Sequence, residues 1–255
     1  MTAIIQVQAL TKRYSEVARP ALDGVSFSVE AGSLTTILGR SGSGKTTLFR
    51  CLNLLVRPTS GQIRIGDQDW LMLDAHALCL ARRQMATIFQ QFNLITRLTV
   101  IENVLASQLS NVPFWRAALR QFPASQREWA MYCLERVGLS EYAHRPAGQL
   151  SGGQQQRVAI ARALAQRSRI ILADEPVASL DPETSAEILE ELRAIVRDDG
   201  LTVLCSLHQE SLALHYADRV IGLVEGRLVV DTPATTFTPA HRATIYQPGD
   251  TLLDR

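Results

Sequence analysis

Gly39-Arg40-Ser41-Gly42-Ser43-Gly44-Lys45-Thr46 separates an apolar run, Leu34-Thr35-Thr36-Ile37-Leu38, from a helix-forming one, Thr47-Leu48-Phe49-Arg50-Cys51-Leu52-Asn53-Leu54. Strand, glycine turn and helix in that order give G-x-x-x-x-G-K-[ST] the context it requires, and a flexible turn alone explains neither Lys45 nor Thr46. Without side chains at Gly39, Gly42 and Gly44, backbone N–H groups can wrap β- and γ-phosphates at the positive end of a helix. Lys45 adds a mobile charge on the terminal phosphates, and the Thr46 hydroxyl is placed to ligate Mg²⁺. An α/β core follows from this reading.

A second glycine loop, Leu150-Ser151-Gly152-Gly153-Gln154, precedes residues 155–165, whose apolar positions recur at helical spacing. A hydroxyl, two bare glycines and a helix N-terminus make another anion site, although Ser151 as a plain N-cap accounts for the helix start. Ile170-Ile171-Leu172-Ala173-Asp174-Glu175 then reads as a buried strand ending in two carboxylates. Consecutive strand side chains point oppositely, so the pair is expected to divide its labour. Asp174 would orient the Mg²⁺ shell beside Thr46, and Glu175 would polarise an attacking water as general base. Two glycine loops with one acidic strand end make one chain the bearer of halves of two sites.

LSGGQ, the Gly39–Thr46 loop and the Asp174-Glu175 strand end together resemble the ATP-binding cassette (ABC) ATPases, over almost the whole chain. The resemblance implies a P-loop NTPase fold: an α/β, RecA-like core, an antiparallel β subdomain and an inserted α-helical subdomain. It places ATP on Gly39, Arg40, Ser41, Gly42, Ser43, Gly44, Lys45, Thr46 and Thr47, with Tyr14 stacked on adenine; a packed surface tyrosine is the alternative. Gln90 is similar to the glutamine that contacts metal or water and senses a membrane subunit, and Gln91 is its neighbouring competitor. The implied metal set is Thr46, Gln90 and Asp174, and the catalytic set Glu175, His208 and Gln90. Asp181, in Ser179-Leu180-Asp181, is similar to the loop that crosses a dimer seam, and is also a helix N-cap before Pro182. In the family, Ser151, Gly152, Gly153 and Gln154 of one subunit face the phosphate loop of the other, burying two ATP molecules in a head-to-tail homodimer. Arg40 stands where proline is common; because backbone groups form the cradle, binding is expected to survive it. His76, His144, His215 and His241 receive no role.

Strand patterns near 4–9, 25–29, 34–38, 63–65 and 85–89 precede a helical stretch over about 91–165. Strands resume at 169–173, 202–206 and 220–224, with a helix over 182–196 between the first two. The expected division is an ATPase domain over 1–231, with its helical subdomain at about 91–165, and a tail over 232–255. A formal charge of +1 gives no electrostatic case for nucleic acid. Cys51, Cys79, Cys133 and Cys205 lack C-x-x-C spacing and read as reduced thiols. Neither a signal-peptide pattern nor a run of about 18 apolar residues is evident.

Three function classes compete. Repair and translation members of the family carry long coiled-coil insertions or two cassettes, and neither pattern occurs here; exporters are fused to or associated with membrane helices. The motor of an importer is the preferred reading. It implies two transmembrane permease subunits, a periplasmic substrate-binding protein and a peripheral position on the cytoplasmic face of the bacterial inner membrane. The wording Ala173-Asp174-Glu175-Pro176-Val177-Ala178-Ser179-Leu180-Asp181-Pro182, with Ser206-Leu207-His208-Gln209 and Asn111-Val112-Pro113-Phe114-Trp115-Arg116, resembles the phosphonate-import ATPases. Phosphonate, phosphite or hypophosphite is the implied cargo, with polar amino acids as the alternative.

Overall fold

The computed structural model describes residues 3–15, 19–109, 112, 113, 116 and 120–246. Two sheets organise it. Strands β1 (Ala3–Lys12), β2 (Leu22–Glu30), β4 (Ser60–Ile65) and β5 (Gln68–Asp69) form an antiparallel sheet in the order β2-β1-β4-β5. The larger sheet contains β3 (Leu34–Leu38), β6 (Met85–Ile88), β7 (Ile170–Asp174), β8 (Thr202–Leu207), β9 (Arg219–Val224) and β10 (Arg227–Pro233), ordered β10-β9-β3-β8-β7-β6. Its pairs are parallel except at the β10 edge, which returns antiparallel along β9.

Residues in β3 and β7 are buried throughout, the signature of strands covered on both faces. Alternation then sorts their side chains between two cores. Leu34, Leu38, Ile171, Ala173, Val203 and Cys205 enter a core shared with the helices, whereas Ile37, Ile170, Leu172 and Leu204 enter one shared with the antiparallel sheet. Helix α1 (Lys45–Leu52) packs into the second core through Leu48, Phe49 and Leu52. The short helix α2 (Ala75–Ala81) is capped by Asp74, whose carboxylate accepts from the Ala77 N–H at 2.7 Å.

Between β6 and β7 the chain turns helical: α3 (Val100–Ala106), α4 (Ala124–Arg136) and α5 (Gly152–Ala165). Thr99 and Glu102 form a reciprocal cap at the start of α3, and Ser151 with Gln154 does the same for α5. Helix α6 (Pro182–Asp199) begins with Asp181 accepting from the Thr184 N–H, has Pro182 in its first turn, and ends at left-handed Gly200. Its apolar stripe of Ile188, Leu189, Leu192, Ile195 and Val196 is buried.

Helix α7 (Glu210–Tyr216) and strand β10 were not expected from the sequence, and β10 carries the sheet beyond residue 231. Part of the stretch read as a tail is ordered structure: α8 (Pro239–Tyr246) places Ile245, fully buried, where a Cβ on Gly222 would lie 2.6 Å from its Cγ1. Tyr246 adds a hydrogen bond from its hydroxyl to the His208 carbonyl at 3.3 Å, and Arg242 pairs with Glu210 at 3.3 Å, while proline-rich flanks masked the signal. Asn111, Phe114 and Trp115 of the cargo-suggesting segment lie outside the described residues.

Candidate functional site

The first glycine loop bends where the sequence requires it. A Cβ on Gly39 would lie 2.4 Å from the Leu223 carbonyl oxygen and one on Gly44 2.5 Å from that of Ala21, while Gly44 itself has φ 107°. Helix α1 receives no side-chain cap at Gly44, so the N–H groups of its first turn remain available to an anion. Ser43 is buried with its Oγ unpartnered. A tight cradle, uncapped N–H donors and an orphaned hydroxyl fit a bound polyphosphate.

Lys45 is buried to 4% exposure and its Nζ donates to the carbonyls of Gly39 at 2.8 Å and Arg40 at 3.3 Å. Burial pushes its ammonium below the ordinary lysine range, against the opposing pull of Glu175 and Asp174. Nζ stands 3.7 Å from Glu175 Oε1, and that same oxygen is 2.6 Å from His208 Nε2. Lys45, the carboxylate just past β7 and the histidine just past β8 therefore converge, although 33 residues separate the last two.

Asp174 and Glu175 have different partners, Ser206 for the first and Lys45 with His208 for the second, and the backbone between them departs from a strand. Strand β7 ends at Asp174, and Glu175 adopts φ 51°, a left-handed turn that non-glycine residues adopt rarely. Ser206 holds this turn: its Oγ donates to Asp174 Oδ1 at 2.9 Å and accepts from the Glu175 N–H at 2.8 Å. Sequence reasoning passed over Ser206; the signal was a hydroxyl at the end of the strand adjoining β7 in a parallel sheet. Burial raises the Asp174 carboxyl above its ordinary value and Glu175 adds to this, while hydrogen bonds from Ser206 and Thr46, with the Lys45 charge, oppose it.

Thr46, Gln90 and Asp174 line one cleft of about 410 Å³, offering hydroxyl, amide and carboxylate oxygens that suit a hard cation such as Mg²⁺. Gln91 lines it as well. The following Phe92 and Asn93 are both left-handed, at φ 45° and 49°, and Arg162 of α5 donates to their carbonyls at 3.0 and 2.7 Å. Tyr14 is 38% exposed, with Lys12 Nζ 5.1 Å from its ring centroid, so part of the ring surface is open.

Ser151 and Gly152 lie exposed at the head of α5, outside the cleft of Thr46 and Asp174. Ser151 Oγ accepts from the Gln154 N–H at 3.3 Å, and Gln154 Oε1 from the Ser151 N–H at 3.0 Å. Beneath them a Cβ on Gly153 would lie 2.5 Å from Thr184 Cγ2, so this loop packs against the start of α6, which Asp181 caps. Among the described residues no group of three or more His, Cys, Asp and Glu could hold a metal, and no helix is long and apolar enough to cross a membrane.

The family model described as ABC transporter matches residues 22–178. A Phosphonates import ATP-binding protein, PhnC 2 of Trichodesmium erythraeum, is 48% identical over 98% of this chain and 96% of its own. The Hypophosphite import ATP-binding protein HtxD of Stutzerimonas stutzeri is 43% identical, over 94% of this chain and 71% of its own. Among solved structures, a dimeric ATP-binding cassette in a post-hydrolysis state with ADP and Pi superposes with a TM-score of 0.80 at 34% identity, covering 91% of this chain and all of that one. The cbiO1 cassette of Clostridium perfringens, part of a transporter complex, gives 0.82 at 27% identity over 97% of each chain. With the family model covering more than half of its length and relatives similar from end to end, the chain belongs to the ABC transporter family.

Proposed function

We propose that this chain is the ATP-hydrolysing subunit of an importer of phosphonates or related reduced phosphorus compounds such as phosphite and hypophosphite. The observation that carries the reading is the convergence of Lys45, Glu175 and His208 beside the Thr46–Gln90–Asp174 cleft, in a chain similar throughout to import ATP-binding proteins for those compounds. Residues 39–47 cradle the nucleotide phosphates and the open Tyr14 ring takes the adenine. Thr46, Gln90 and Asp174 would hold Mg²⁺, which would supply positive charge against the phosphate oxygens. Glu175 accepts the proton of the attacking water, and His208 holds its carboxylate while reaching the γ-phosphate.

A second copy contributes Ser151, Gly152, Gly153 and Gln154 over that phosphate, with Asp181 at the seam. Hydrolysis removes the group that both copies grip, which weakens the closed dimer. Two permease subunits, each docking a short helix near Gln90 and Phe92, carry the closure across the bacterial inner membrane, on whose cytoplasmic face the homodimer sits. A periplasmic binding protein delivers the cargo, and the ATPase domain runs past residue 231 to take in all of β10 and α8. Cells lacking the chain should lose uptake of labelled 2-aminoethylphosphonate, methylphosphonate or phosphite while keeping glutamine uptake. Selective loss of glutamine uptake would reject the cargo and leave the ATPase chemistry standing.

A further inference from the structure

Away from the nucleotide site, a cleft of about 490 Å³ opens between α4 and the ends of α5 and α6, a size within the ~300–1,000 Å³ of small-ligand sites. One wall is aromatic. Trp129 stacks on Tyr132 with centroids 5.2 Å apart and an interplanar angle of 24°, and its indole N–H donates to the Ala165 carbonyl at 3.3 Å. Arg167 lies over the indole at 4.5 Å, whereas Tyr132 is 45% exposed and offers ring surface to the cleft.

Its charges are unevenly spent. Arg136 is committed to Asp199 through two hydrogen bonds of 3.0 Å. Arg169 lines the cleft, and among the described residues no carboxylate lies within ion-pair distance of it. Between the two remaining cations sits Ser168, 3% exposed, with its Oγ unpartnered. Arg167 holds φ 57°, a left-handed conformation uncommon for a long side chain, and the chain thereby exposes residues 167 and 169 while burying 168.

We propose that this cleft binds a small phosphate-type anion carrying a flat ring, with the ring on Tyr132 and the oxyanion on Arg167 and Arg169. Guanidiniums lining one cleft present planar forks of donors matched to tetrahedral oxyanions. A bare anion would leave the aromatic wall unused, and a neutral ring would leave the guanidinium donors of Arg167 and Arg169 unused.

Phenyl phosphate is the probe, titrated by calorimetry into the full chain saturated with Mg²⁺–ADP so that the nucleotide site is filled; inorganic phosphate, benzoate and phenol are parallel arms. Phenyl phosphate should bind with one equivalent per chain, at least about tenfold more tightly than any other arm. Arg169→Glu and Tyr132→Ala should each weaken it by about tenfold or more, with thermal melts confirming folded protein; Tyr132→Leu replaces the alanine variant if that one fails to fold. Absence of saturable binding, equal affinity for phosphate or benzoate, or unchanged affinity in Arg169→Glu overturns the proposal.

Discussion

The loop around Gly39 and the loop around Ser151 use the same materials, glycines and hydroxyls ahead of a helix, yet they finish differently. Around Gly39 the helix start is uncapped, Gly39 and Gly44 are walled in by backbone, and Lys45, Glu175 and His208 gather beside it. Around Ser151 the helix caps itself and the loop faces outward with no acid or base of its own. The two loops thus share a composition and differ in their surroundings: the first lies among titratable groups, and the second is closed on itself and exposed.

The most severe test of that contrast is Glu175→Gln, which leaves the cradle intact and removes the base. ATP turnover should fall by roughly 10²- to 10⁴-fold with nucleotide affinity retained, and ATP should trap a dimer on a sizing column. Normal steady-state turnover would break the assignment. Lys45→Ala should instead weaken nucleotide binding itself in calorimetry, because its cation contacts the ground-state phosphates too.

If the loops belong to one composite site, defects in them must complement across chains. Crosslinked mixed dimers of Lys45→Ala and Ser151→Arg subunits should retain one ATP-bound site, while dimers of either variant alone retain none; no intact site in the mixed dimer would confine each loop to its own chain. Gly39→Ala sharpens the contrast in stability, since its methyl meets a backbone oxygen, and Gly153→Ala meets a threonine side chain. The first should cost about 1–3 kcal/mol in denaturant melts and the second less.

The smallest effect concerns the helix behind the second loop. Arg157 of α5 pairs with Glu187, at 2.7 Å, and with Glu191 of α6, where burial raises the Glu191 carboxyl to about 7, over the opposing effect of Arg157. A carboxyl raised on folding contributes stability that is fully present below its unfolded value near 4.5 and is lost as pH rises through about 7. Glu191→Gln should therefore flatten the decline of melting temperature across that window; an unchanged pH slope would remove Glu191 as its source.

The fold was legible where chemistry and periodicity coincide. Buried strands such as Ile170–Asp174 and the capped start at Asp181-Pro182 state their structure locally. Helix α8 did not, because it is anchored by long-range contacts, Ile245 against Gly222, the Tyr246 hydroxyl on the His208 carbonyl and Arg242 on Glu210, and contacts of that kind have no periodic signature. At the site, the motif residues were legible and the means of positioning them was not. Ser206 binds Asp174 and Glu175 only because β7 and β8 run parallel in register, with Asp174 opposite Ser206. Strand alternation was the expected device for separating the two carboxylates, whereas the turn at Glu175 is a backbone conformation that sequence does not display.

One guanidinium gives the molecule a mechanical property. Arg162 projects from the helix that Ser151 heads and grips two successive carbonyls of the bent segment just after Gln90 and Gln91. Displacement of that segment from outside must either drag α5 along or break both bonds, and Phe92 and Asn93 are already wound into left-handed turns. The bend at Phe92 and Asn93 and the exposed Ser151 and Gly152 at the head of α5 are thereby joined through one side chain and two hydrogen bonds.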